Sequence, residues 1–143
     1  MQNHTAINGF RDILVETCTR QGWTIPEPTL DYTVKILADK LDKNPWQPEP
    51  SYAERYLTLK TVSDALDLGN TCWFTRAVFP ELMERRGLKA SYFVDMGQGC
   101  YGMVLKHNKH PAIETLYTHF EFTAEMVYTA VRYYGGFREM WDL

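Results

Sequence analysis

The chain has 143 residues, 45% hydrophobic and 23% charged, with a formal net charge of −3 and a pI near 5.8. That composition argues against disorder and describes one domain, which at this length buries roughly 68–70% of its unfolded surface without needing a disulfide or metal. The acidic balance disfavours binding to nucleic acid by bulk attraction, and no run approaches the ~20 apolar residues of a membrane span.

The first element runs from about Thr5 to Gln21, where Ile7, Phe10, Ile13, Leu14 and Cys18 follow helical spacing and Gly22 is a natural stop. Pro26 and Pro28 interrupt the pattern. A second helix, about 29 to 43, carries Leu30, Val34, Leu37 and Leu41 on one stripe. "NPWQPEP" (44–50) holds three prolines and should be an extended, stiff connector inside the domain, with Trp46 packed down. Ser51 and Glu54 have capping-box spacing and open a helix to about Leu68. Gly69 suits a helix stop, and Asn70 or Thr71 a new cap, for a helix of about 71 to 86 that Pro80 should kink or divide. Gly87 ends it.

The stretch from Ser91 to His107 is ambiguous between helix and strand. "ASYFVDM" has strand-like residues, and each glycine costs a helix roughly 0.8–1.0 kcal/mol relative to Ala. Pro111 suits the first position of a last helix, about 111 to 134. There Ile113, Leu116, Phe120, Val127, Ala130, Val131 and Tyr134 share one face, opposite Glu114, Tyr117, Glu121, Glu125, Tyr128 and Arg132. Gly135 and Gly136 stop it, and a tail with Trp141 folds back. The expectation is an all-α single domain over 1–143, an irregular bundle of five to seven helices, one of them kinked by proline.

Three cysteines, Cys18, Cys72 and Cys100, form no C-x-x-C pair, so reduced thiols in a cytoplasm are the simplest reading. "MQNHTAINGFRD" has neither a basic flank nor an apolar run, so no secretory signal is expected in it. "LGNTCWF" (68–74) resembles the cysteine box of ubiquitin-specific peptidases, in which G-N-T-C precedes an aromatic. A cysteine near the start of a helix beginning at 71 would feel the positive dipole end and lose its proton more easily. A small thiol hydrolase or transferase would pair Cys72 with His110 or His119. Such folds carry the histidine on a sheet, and the C-terminal half reads helical, so a core cysteine is the preferred reading.

His110, Glu114, Glu121 and Glu125 share a side of the last helix and are the candidate metal ligands. A di-iron bundle site needs Glu-x-x-His, which the chain lacks, and a solvated acidic face is preferred. Gly97, Gly99 and Gly102 fit the dinucleotide spacing G-x-G-x-x-G. No adequate helix follows, and residue 117, where an acidic group would stand, is Tyr117. The glycines are read as small residues in a tightly packed helix, with the closest helix–helix contact expected around Gly97 and Cys100. Lys106, His107, Lys109 and His110 form a basic corner, read as solvated.

"LGNTCWFTRAVFP", "RRG" and "SYFVDMGQGCYG" together resemble an uncharacterised bacterial protein family over about a third of the chain. The pattern is Leu-Gly-Asp, an aromatic pair, Gly, Phe-Pro, then Tyr-Tyr-x-x-Met-Gly-x-x-Ala-Tyr. Leu68, Gly69, Phe74, Phe79, Pro80, Tyr92, Met96, Gly97 and Tyr101 match it. Asn70, Ala77, Phe93 and Cys100 replace Asp, Gly, Tyr and Ala. The resemblance implies a helical fold and no particular chemistry, and it does not require cysteine at Cys72 or Cys100. With no complete catalytic set and 14% aromatic residues, the expected function is binding: a protein partner, a second copy of the chain or a small apolar ligand, without a cofactor.

Overall fold

The computed structural model describes residues 4–40, 52–85 and 87–136. Regular structure among them is entirely α-helical: α1 (His4–Gln21), α2 (Glu27–Lys40), α3 (Tyr52–Leu57), α4 (Val62–Val78), α5 (Pro80–Arg85), α6 (Ala90–His107), α7 (Pro111–Thr118) and α8 (Phe120–Tyr133). The 44–50 connector with Trp46, the cap that needs Ser51 and the tail with Trp141 lie outside the described residues. Among the described residues no helix is long and apolar enough to cross a membrane.

α4 is the central element. It buries Leu68, Cys72, Trp73, Phe74, Thr75 and Ala77 around most of its circumference, as a core helix does. α6 packs along it, antiparallel, and α8 lies against another side. α1 and α2 form a hairpin held at its surface by Arg11, which reaches Glu27 at 2.7 Å and Asp31 at 3.1 Å. α7 joins α2 to α6.

The ambiguous stretch is a helix because its buried residues recur at helical spacing: Phe93, Met96, Gly97, Cys100, Tyr101 and Val104. Its glycines are offset by close packing. Gly69 and Cys72 on α4 face Gly97 and Cys100 on α6, each glycine against the other helix's cysteine. A Cβ on Gly69 would lie 3.2 Å from Cys100 Cβ and 2.8 Å from the Tyr101 ring. A Cβ on Gly97 would lie 3.2 Å from Cys72 Cβ and 2.5 Å from the Phe120 ring. The contact expected near Gly97 and Cys100 is therefore present.

Among the described residues eight helices stand where five to seven were expected; two added breaks, at Pro80 and His119, and one displaced break account for the difference. The proline kink is a complete division: Pro80 has no N–H to continue the ladder, and it becomes the first residue of α5. Gly69 does not stop a helix. It keeps a negative φ inside α4, and the stop falls at 58–61, where Thr61 Oγ1 accepts from Asp64 N at 3.0 Å. The last helix divides at His119, whose φ of −122° and ψ of 47° are not helical, and Gln98 Nε2 of α6 donates to the adjacent Tyr117 carbonyl at 2.9 Å. Gly22 and Gly87 do end their helices, with φ of 72° and 84°.

Candidate functional site

Each sequence candidate has a structural position. Cys72 is 0% exposed and stands in the middle of α4, not at a helix start, so the expected dipole activation is absent. Burial pushes its thiol far above the ordinary value, and the Cys100 thiol nearby adds to the rise. Burial also raises Cys100, to about 11. Arg55 acts on Cys72 in the opposite direction, to a smaller extent. His110 caps α7, its Nδ1 accepting from Ile113 N at 3.3 Å, with its ring edge-on to Tyr32. His119 is exposed at the junction of α7 and α8.

The four candidate metal ligands are not gathered. Glu121 and Glu125 bind the half-buried Arg76 at 2.8 and 3.4 Å, while His110 and Glu114 belong to the first turn of α7. No group of three or more His, Cys, Asp or Glu suited to a metal occurs among the described residues.

Sequence reasoning missed a buried polar line across α2, α4 and α6. Tyr101 Oη, fully buried, donates to Asn70 Oδ1 at 2.8 Å. Asn70 Nδ2 donates to Tyr32 Oη at 2.9 Å. Burial raises both phenols, Tyr101 strongly. Asn70 thereby gives partners to two hydroxyls whose desolvation would otherwise be costly. Beside it, Lys40 is 7% exposed and donates to Thr71 Oγ1 at 3.1 Å. Asp67 lies 4.0 Å from Lys40 and 2.9 Å from Arg55. A small cleft of about 160 Å³ opens over these groups. The pairing of Asn70 with Tyr101 connects two segments of the family-like pattern, but neither residue type alone signals a partner.

A larger cleft, about 510 Å³, lies where the loop before α4 meets the end of α6. It is lined by the apolar Leu59, Val62, Ala65 and Met103, the basic Lys60, Lys106 and His107, and Thr61. The Thr61 cap positions this site: it turns the chain into α4 and sets Lys60 opposite the last turn of α6. Two residues of the basic corner, Lys106 and His107, thus belong to a concave surface. Thr61 and Asp64, three apart before an apolar helix, are the local signal that marks its edge. The lining thus combines apolar side chains with basic ones.

No protein-family model, curated protein or solved structure matches the chain.

Proposed function

We propose that the protein acts by reversible binding and that the cleft between the start of α4 and the end of α6 is its binding site. One observation carries the reading: four apolar side chains and a few polar groups line a cavity of about 510 Å³. Small-molecule sites are concave, mostly apolar and about 300–1,000 Å³ in volume. The thiol alternative has less support, because a nucleophilic cysteine needs a lowered pKa and access, and Cys72 has neither. Three unpaired buried cysteines suit a reducing, cytoplasmic setting. Of the large exposed apolar side chains, Phe122 and Tyr133 stand on α8 and Leu57 on α3, and none of them lines this cleft.

The test is an amide NMR titration of the full chain with a panel of small apolar and amphiphilic compounds. Shifts should cluster at residues 59–65 and 103–107. Shifts confined to other surfaces, or none across the panel, would remove the reading.

A further inference from the structure

We propose that this cleft takes a single-chain anionic amphiphile, a medium-chain fatty carboxylate being the simplest form. The proposal rests on the binding reading above and adds the ligand's charge and shape. The charge follows from the lining of the cleft, which holds two lysines and no carboxylate. Arg11, Arg20, Lys40, Arg55 and Arg76 each lie within 4.0 Å of a carboxylate oxygen. Lys60, Lys106 and His107 have no such partner among the described residues, and no Asp or Glu lines the cleft. On a chain of net charge −3, Lys60 and Lys106 line one cavity whose lining holds no carboxylate, with His107 also in the lining.

Lys106 and His107 stand in the last turn of α6, where basic groups also complement the helix's negative end. Lys60 has no such duty. It immediately precedes the cap of α4, and Val62, at the first position of that helix, lines the cleft. The first-turn N–H groups of a helix lack intrahelical acceptors and add to the positive potential there. Lysine stems lie readily along apolar surface while their ammonium groups stay in water. These lysines can hold a carboxylate at the water boundary while Leu59, Val62, Ala65 and Met103 receive the alkyl chain, and Met103 can adapt to its shape. The open side lets the ion pair keep part of its hydration, which limits the desolvation cost.

The experiment uses calorimetric titration of the full chain with monomeric decanoate, decanol and decyltrimethylammonium, and pelleting with phosphatidylglycerol vesicles. Decanoate should bind at least several-fold more tightly than decanol, and the cationic analogue should not bind measurably. The double variant Lys60→Gln with Lys106→Gln should lose roughly tenfold in decanoate affinity, the worth of two partly exposed ion pairs, while decanol is unaffected. Val62→Glu, on a partly exposed position in the first turn, should abolish decanoate binding with the helical circular dichroism unchanged. Equal binding of decanoate and decanol, with the lysine variants silent, would overturn the charge assignment and leave the cleft as a binding site. Failure of all three monomers would overturn both readings. Binding to vesicles without binding to free decanoate, preference for the cationic analogue, or decanoate binding that survives Val62→Glu, would each overturn the inference.

Discussion

Replacing glycine by alanine should have opposite effects on stability at two helical positions, and the difference measures how closely α4, α6 and α8 pack. Inside a helix the exchange gains about 0.8–1.0 kcal/mol from propensity alone. Gly9 in α1 has nothing within 4 Å of an added Cβ, so Gly9→Ala should stabilise by that amount. At Gly97 the same atom would sit 2.5 Å from two carbons of the Phe120 ring. Ordinary carbon–carbon contact begins near ~3.5 Å, so the ring must retreat by about 1 Å. Phe120 is 1% exposed and has little room to retreat, and on the other side Cys72 Cβ stands 3.2 Å away. Overpacking of this kind costs about 1–3 kcal/mol. The two variants should therefore differ by about 1–3 kcal/mol, with Gly97→Ala neutral to destabilising by about 2 kcal/mol. Urea unfolding at 25 °C, followed by circular dichroism at 222 nm, measures both. Adding Phe120→Leu should make the Gly97→Ala change cheaper, and the double-mutant cycle gives the coupling. Equal stabilisation at Gly9 and Gly97 would refute the close crossing.

The remaining expectations concern the thiols and the buried polar groups. Iodoacetamide at pH 7.5 should label Cys72 and Cys100 of the native chain no faster than global unfolding exposes them; rapid labelling of Cys72 would restore the nucleophile reading. A thiol raised in the fold favours the protonated state, so its contribution is complete below the unfolded value of 9.0 and is lost as pH rises towards the folded value, about 11 for Cys100. Across that window each such thiol should lower stability by about 1.4 kcal/mol per pH unit. Cys100→Ala should flatten the slope measured by urea unfolding between pH 9 and 11, and an unchanged slope would contradict the buried assignment. Asn70→Ala leaves the fully buried Tyr101 hydroxyl without its acceptor and should cost about 1–3 kcal/mol; adding Tyr101→Phe should recover part of the loss. His110→Ala removes the acceptor for Ile113 N and should cost about 0.5–2 kcal/mol, with His110→Asn keeping most of the stability.

The sequence alone determined features that depend on neighbours a few residues apart. The apolar face of the last helical stretch was legible because Ile113, Leu116, Phe120, Val127, Ala130, Val131 and Tyr134 recur at helical spacing; the first six are buried, and Tyr134, just past α8, is partly so. Gly22 and Gly87 were legible as stops, since each carries a positive φ that other residues resist. Pro80 was legible as a kink or a division because its missing N–H acts wherever it stands, and the structure shows the division. Tertiary structure decided the rest. Gly69 has the same local credentials as Gly87, yet it continues a helix because Tyr101 and Cys100 lie against it. The periodicity from 111 to 134 gives no hint of a break at His119, and the Gln98 side chain that bonds beside the break belongs to another helix. Asn70 serves Tyr32 and Tyr101, 38 and 31 positions away. The cleft gathers Lys60, from the loop before α4, and Lys106, from the end of α6, into one lining, and neither lysine is distinctive in its own segment. Backbone preferences act over one turn and can be read along the chain; burial, close approach and charge convergence depend on which segments meet in space.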